Sequence, residues 1–389
     1  MTLQSKLPQV GTNIFTLMTS LSLENQAINL GQGFPDFSPD GKLIELVHRA
    51  MLDGHNQYPA MSGVPALRQQ IAAKIHTLYG RKYDPDTEIT VTSGATQALM
   101  ASILALVKPG DEVIVIEPFY DLYLPAIQLA GGIPIIVPML APSKEHPSYR
   151  VDWQRLSDAI SPRTQLMILN FPHNPTGIIM QPADLDALES ILQKSKCLLL
   201  CDEVYEHITF DAQPHHSVSS RPALAQRAVV VSSFGKTYHV TGWKIGYCSA
   251  PAAIMAEIRK VHQFTVFTVS SPMQIALAEF MKDESTYQTL AAFYQKRRDF
   301  LATELAATAF KPLPSQGTFF LLADYSDISE MPENEFARWL TTEHKVGVIP
   351  VCAFYQNPQD QASNHQQVRF CFAKKDQTLS DALERLKRI

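Results

Sequence analysis

From Thr87 onward the chain alternates short apolar runs rich in β-branched residues with stretches of helical period, which is the pattern of βαβ units around a parallel sheet. Strands are predicted at residues 89–92, 112–116, 133–137, 164–170, 196–202 and 228–232. Helices are predicted at 95–107, 120–130 and 182–194, with a turn at 108–111 and a stop at Gly131-Gly132. The strand runs are continuously apolar rather than alternating, so both faces of the sheet should be covered. The 95–107 segment is apolar nearly all round and should be buried.

Past about Phe280 the rhythm changes. Residues 283–307 carry mixed charge at helical spacing and read as one long amphipathic helix. Next come a strand at 317–324, a helix at 333–343, two short strands at 346–349 and 367–372 and a terminal helix at 377–388. Polar loops fall at 141–149, 211–222 and 356–366. Without strict βαβ repetition, this part reads as α+β. The expected architecture is α/β: a large domain over 41–284 with a mainly parallel sheet, and a smaller α+β domain formed by residues 1–40 and 285–389.

Composition sharpens this picture. The chain has 389 residues, 46% hydrophobic and 18% charged, which excludes disorder. A net charge of −5 supplies no basic field for nucleic acid. The stretch from Met1 to Pro8 has no apolar core of signal-peptide length, and no run is apolar enough to span a membrane. The five cysteines are odd in number and contain no C-x-x-C. Cys197 and Cys201 lie in one strand, about 13 Å apart, too far for a disulfide. Buried thiols in a reducing cytoplasm are the expected reading.

Ligands of open parallel sheets bind beyond the carboxyl ends of the strands, so the residues just past each strand carry the most information. Ser93-Gly94-Ala95-Thr96 opens a helix whose free N–H groups suit a phosphate. Phe171 to Gly177 comes after the 164–170 strand, Asp202-Glu203-Val204-Tyr205 ends the next, and Ser233-Phe-Gly-Lys236 comes after 228–232. Each motif alone has a bland reading. Ser93 to Thr96 could be an ordinary N-cap, Asp202 a turn cap, Tyr205 a rim aromatic, Lys236 a solvated lysine and Asn174-Pro-Thr-Gly177 a plain turn. Placement at successive strand ends is left unexplained by those readings.

Other ligand classes fit poorly. Gly235-Lys236-Thr237 imitates the tail of a P-loop, but Val230 stands at its first glycine, which argues against a nucleoside triphosphatase. Gly31-Gln-Gly33 leads into Phe34-Pro35-Asp36 rather than a helix, so the dinucleotide fingerprint fails. No tight His/Asp/Glu cluster suggests a metal; His215-His216 sits in a polar loop. Pyridoxal phosphate needs the whole set: a lysine for covalent attachment, an acid for its ring nitrogen and a phosphate cup.

At these residues the chain resembles the class I aminotransferases of fold type I over almost its full length. The resemblance is carried by Asn170-Phe-Pro-His-Asn-Pro-Thr-Gly177, Asp202-Glu-Val-Tyr205 and Ser233-Phe-Gly-Lys-Thr-Tyr-His-Val-Thr-Gly-Trp-Lys-Ile-Gly246. Gly31-Gln-Gly-Phe-Pro-Asp-Phe37 and Arg369-Phe-Cys-Phe-Ala-Lys374 narrow it to the subgroup of kynurenine aminotransferase (glutamine transaminase K) and bacterial methionine aminotransferase, the latter being the nearer.

The resemblance implies that Lys236 holds the cofactor covalently and is the catalytic base, and that Asp202 pairs with the ring nitrogen. Asn174 and Tyr205 would donate to the phenolic oxygen. Ala95, Thr96, Ser233 and Lys244 match phosphate-binding positions, and Tyr120 matches the aromatic that stacks on the ring. Lys244 replaces the arginine of aspartate-type enzymes with a point charge. Arg369 matches the clamp on the substrate carboxylate, helped by Gly33 and Asn174. Phe15, Tyr123, Tyr58 and Phe267 are candidate lining for the substrate. Tyr58 and Phe267 match positions that reach the partner subunit's site, with Tyr58 also at the cofactor, which implies a homodimer.

The expected activity is therefore transamination of an apolar or aromatic L-amino acid, above all methionine, then aromatic amino acids or glutamine, with a 2-oxo acid acceptor. A cysteine-conjugate β-lyase or a kynurenine aminotransferase is the enzymatic alternative. A ligand-sensing regulator on the same fold is the other; the lack of a DNA-binding extension before Gly31 weighs against it.

Overall fold

The computed structural model describes residues 4–8 and 10–389. Residues 1–3, part of the N-terminal stretch without a signal-peptide core, lie outside the described residues. Among the described residues no helix is long and apolar enough to cross a membrane.

The large sheet has seven strands: β1 (Ile89–Thr92), β2 (Glu112–Glu117), β3 (Ile133–Pro138), β4 (Thr164–Asn170), β5 (Leu198–Asp202), β6 (Ala228–Ser233) and β7 (Gly246–Ser249). Their spatial order is β1-β7-β6-β5-β4-β2-β3. Neighbours from β6 to β3 are parallel, whereas β7 is antiparallel to both β6 and β1. Two antiparallel steps in succession leave β1 running in the same direction as β6. The helix after β1 therefore opens at the same edge as the turns after β4, β5 and β6. The six predicted strands are all present, and β7 was not predicted.

Both faces are covered, as the continuous apolar runs require. One face packs Ile103, Ala126, Ile127 and Met255 from helices Gly94–Leu106, Tyr123–Leu129 and Ala252–Thr265. The other packs Leu185, Leu188 and Leu192 from Pro182–Gln193 against Met167, Leu169 and Leu199. A second core gathers around a four-stranded sheet whose centre is Phe320–Asp324 against Gln367–Cys371. There Ile28–Asn29 pairs with Val346–Gly347 in a separate two-stranded ribbon.

Several elements depart from expectation. The predicted 120–130 helix begins only at Tyr123, because residues 120–122 form the turn that carries Tyr120 forward. The predicted 283–307 helix is two pieces, Ser285–Gln288 and Leu290–Ala306, meeting at Thr289, whose hydroxyl back-bonds to the Ser285 carbonyl at 2.9 Å. The 317–324 strand starts at Phe320, since Thr318 has a left-handed φ of 68°. The 346–349 strand is split at Val348 between the two small sheets.

One buried ion pair fastens the end of β5 to its surroundings. Lys74, on helix Pro65–Tyr79, donates to Glu206 at 2.7 Å, and both are buried. Tyr79 donates to the same carboxylate at 2.7 Å, Ser232 at 2.5 Å and Tyr247 at 3.1 Å. Burial works to raise the Glu206 carboxyl, but Lys74, His207 and Ser232 overcome it and hold it below the usual carboxylate range. Lys74→Met should cost about 3–5 kcal/mol in denaturant unfolding at neutral pH. A depressed folded pKa makes this contribution complete above about pH 4.3, the unfolded value, and lets it fade in acid. The gap between wild type and variant should therefore narrow as pH falls.

Candidate active site

Strand-end segments from both sheets converge on a cavity of about 320 Å³. After β1, Ala95 and Thr96 stand in the first turn of helix Gly94–Leu106, where backbone N–H groups lack intrahelical partners. Lys244 lies 3.4 Å from the Thr96 hydroxyl, and its left-handed φ of 56° lets the chain double back before β7. Gly246 is needed here, because a Cβ would fall 2.9 Å from the Ala95 nitrogen and 2.7 Å from the Ser232 carbonyl. Ser233 closes the cup from the end of β6. The result is a cationic, N–H-rich recess at a helix start, a fit for a phosphate.

Asp202 ends β5 and is buried. Tyr123 donates to its Oδ2 at 2.8 Å, and Asn170 Nδ2 holds its carbonyl at 2.9 Å. Burial pushes its carboxyl up to about 6, against the opposing Tyr123 hydrogen bond and the charge of Lys236. Across the cavity Lys236 Nζ donates to the Gly33 carbonyl at 3.2 Å. Burial brings this amine down to about 8. An acid held up and an amine held down by desolvation suit proton transfer near neutrality. Gly33 is forced by Phe320, whose ring carbon would sit 2.7 Å from any Cβ there.

Arg369, on the central strand of the small sheet, is 1% exposed. Its guanidinium donates to Asn174 Oδ1 at 2.6 Å and to the Gly31 carbonyl at 3.2 Å, while its Nε has no partner. The ring of Phe320 lies 3.7 Å beneath it, with Phe354 at 4.7 Å and Phe15 at 5.3 Å. Burial lowers it to about 10, so it stays cationic. A buried guanidinium with a free donor is a receptor for an anion.

The structure thus gathers Phe15, Gly33, Ala95, Thr96, Tyr120, Asn174, Asp202, Tyr205, Ser233, Lys236, Lys244 and Arg369 around one cavity. Burial raises the Tyr120 phenol to about 12, so it remains neutral. Tyr123 needs correction as a substrate contact: it is 2% exposed, lies behind Asp202 and does not line the cavity. Tyr58 and Phe267 also stand outside the cavity of this single chain. They form an edge-to-face pair with centroids 5.5 Å apart, Tyr58 being 83% exposed and Phe267 41%. Sequence reasoning missed Gln32, Phe34, Asn170, Thr241 and Phe320 as lining residues. Asn170 was readable, since it is the last residue of a strand and opens the motif that runs to Gly177; Phe320 had no local signal. Among the described residues no His/Cys/Asp/Glu group could hold a metal.

A lysine, an acid and a phosphate recess around one space fit pyridoxal phosphate. Comparison with known proteins decides the family. The family model for aminotransferase class I and II matches residues 25–386. The chain belongs to that family. This aminotransferase is similar to the methionine aminotransferase of Escherichia coli (strain K12), with 50% identity over 99% of this chain and 98% of the relative. Kynurenine–oxoglutarate transaminase 3 of Mus musculus is 34% identical over 97% of this chain and 88% of its own length. An Escherichia coli protein, whose crystal structure and reactivity identified a methionine aminotransferase function, superposes with a TM-score of 0.95. It shares 49% identity, with all of both chains covered. The aminotransferase has the pyridoxal-phosphate-dependent fold type I, and its substrates are amino and 2-oxo acids.

Proposed function

We propose that this aminotransferase takes the amino group of methionine, and of aromatic amino acids and glutamine, and delivers it to a 2-oxo acid. Arg369 carries the reading. Its planar fork is the one guanidinium lining the cavity among the described residues, enough for an α-carboxylate and nothing more. The surfaces around it, Phe15, Phe34, Phe320 and Tyr120, are aromatic. A thioether packs on such faces with a gain of about 0.3–1.5 kcal/mol. A second, unpaired carboxylate buried there costs several kcal/mol. The 50% identity to a methionine aminotransferase supports the same choice.

Pyridoxal phosphate, when bound, supplies an electron sink for the pair left at Cα once its proton departs. The chain supplies the rest. Arg369 and Asn174 would orient the carboxylate, and Lys236 would take the Cα proton on Nζ and deliver it across the transferred nitrogen to the cofactor carbon bonded to that nitrogen. Asp202 would set a negative charge against the cofactor's ring nitrogen and keep it protonated. Lys244, Ser233, Ala95 and Thr96 would hold the cofactor's phosphate, Tyr205 and Asn174 would donate to its phenolic oxygen, and Tyr120 would stack on its ring. A panel of amino acids against two 2-oxo acids should give kcat/KM at least about a hundredfold higher for methionine than for aspartate. Equal or better values for aspartate would refute the pocket while leaving the cofactor assignments standing.

The reading extends to a homodimer with shared sites. Tyr58 and Phe267 form an exposed aromatic pair, and Phe264, three residues before Phe267, is exposed as well; a lone chain rarely leaves such surface uncovered. Mixing Lys236→Ala and Tyr58→Ala chains should restore activity through hybrid dimers carrying one intact site. No recovery despite demonstrated subunit exchange would count against sharing. Five buried free cysteines support a reducing, cytoplasmic setting.

A further inference from the structure

Tyr123 is a bulky phenol with no place in the cavity wall, yet its hydroxyl is spent on a residue that does line it. It opens helix Tyr123–Leu129 in the turn after β2, and its OH donates to Asp202 Oδ2 at 2.8 Å, although β4 stands between β2 and β5 in the sheet. Both groups are buried, at 2% and 4% exposure. The other carboxylate oxygen, Oδ1, has only the Val204 N–H at a long 3.4 Å. With the Asp202 backbone held by Asn170 Nδ2, the carboxylate of this cavity-lining residue has one oxygen tied to Tyr123 and the other held only by that long contact.

We propose that Tyr123 is a positioning residue for the transamination: its donated hydrogen bond fixes the rotamer and the ionised form of Asp202. This rests on the reading of Asp202 as the partner of the cofactor's ring nitrogen. A buried carboxylate tends toward its neutral form, and a donor aimed at the charged form opposes that. Burial is the largest influence on Asp202 and the Tyr123 hydrogen bond the next, in the opposite sense. The other groups facing Asp202 are Lys236 and Glu203, with Tyr120, Tyr205 and the Cys201 thiol beside it. Burial and the adjacent carboxylate hold the Tyr123 phenol well above its ordinary value, so it keeps its proton and remains the donor.

The test monitors release of pyridoxal phosphate from the holoenzyme by its visible absorbance, from about pH 5 to about pH 9, a readout independent of turnover. Tyr123→Phe should weaken retention roughly tenfold and move its loss in acid to higher pH. Replacing Tyr123 by 3-fluorotyrosine, a stronger donor of the same shape, should move that loss to lower pH; this second variant serves even if the phenylalanine variant is poorly folded. In an Asp202→Asn background, which has no carboxylate to ionise, the pH shift caused by Tyr123→Phe should vanish. Unchanged retention and pH dependence in both Tyr123 variants, or an undiminished Tyr123→Phe pH shift in the Asp202→Asn background, would overturn the positioning role alone. An Asp202→Asn protein with wild-type retention and turnover would instead bring down the reading of Asp202, and this proposal with it.

Discussion

Lys236→Ala is expected to lower kcat by at least about ten-thousandfold, the upper end of what one proton-transferring group supplies, while pyridoxal phosphate still binds noncovalently. The reason lies in how many tasks Nζ has in this cavity. It lines the cavity with Asp202 and the Arg369 guanidinium, and burial has already brought it down to about 8, so a useful fraction is neutral near physiological pH. Alanine leaves the Cα proton without an acceptor. It leaves the phosphate recess untouched, because Ala95, Thr96, Ser233 and Lys244 sit just after β1, at the end of β6 and on the approach to β7. Borohydride treatment of the wild-type holoenzyme followed by peptide mass mapping should place the cofactor adduct on Lys236. Lys244 also lines the cavity, so it is the informative competitor. An adduct there, or turnover in Lys236→Ala within about a hundredfold of wild type, would reverse the two lysines' roles.

The residues of the large sheet that were legible from the chain's own pattern share one property: each lies at or just past the end of a strand whose hydrophobic run is long and continuous. A parallel strand of five or six apolar residues announces its own end, and topology then sends that end to a common edge. Asn174, Asp202, Tyr205, Ser233 and Lys236 were found in this way. Strand β7 was invisible because Gly246-Tyr-Cys-Ser249 is short and its identity depends on pairing with β1 and β6 rather than on its own pattern. Phe320 and Phe354 were missed as the aromatic bed of Arg369 for the same reason, since their contacts join segments far along the chain from the large sheet's motifs. The N-terminal helices Gly41–Leu52 and Pro65–Tyr79 were not anticipated either, although Asp40 caps the first and Pro65 opens the second. Tyr123 failed differently: it counts among the aromatic candidates for the substrate lining, but the turn at residues 120–122 leaves Tyr120 on the cavity and Tyr123 on Asp202.

Asp202→Asn should leave the fold intact and reduce kcat at least about a hundredfold. The amide keeps the volume and an acceptor oxygen, so the Tyr123 hydroxyl can still donate and the β5 end keeps its Asn170 clamp. What disappears is the negative charge. In a buried site a carboxylate paired with a cationic N–H is worth a few kcal/mol more than a neutral partner, and about 2.7 kcal/mol already equals a hundredfold in rate. The direction of the Asp202 shift adds a second signature. Burial raises this carboxyl to about 6, so in the wild type the charged form is gained as pH rises through that region, and a cationic neighbour extends it to lower pH. The wild-type rate should therefore fall on the acid side as the carboxylate is neutralised, and the asparagine variant, already neutral, should lose that limb as well as its height. A variant that kept a near-wild-type rate would place the ring nitrogen away from β5. A variant that lost rate but kept the acid limb would assign that limb to another group.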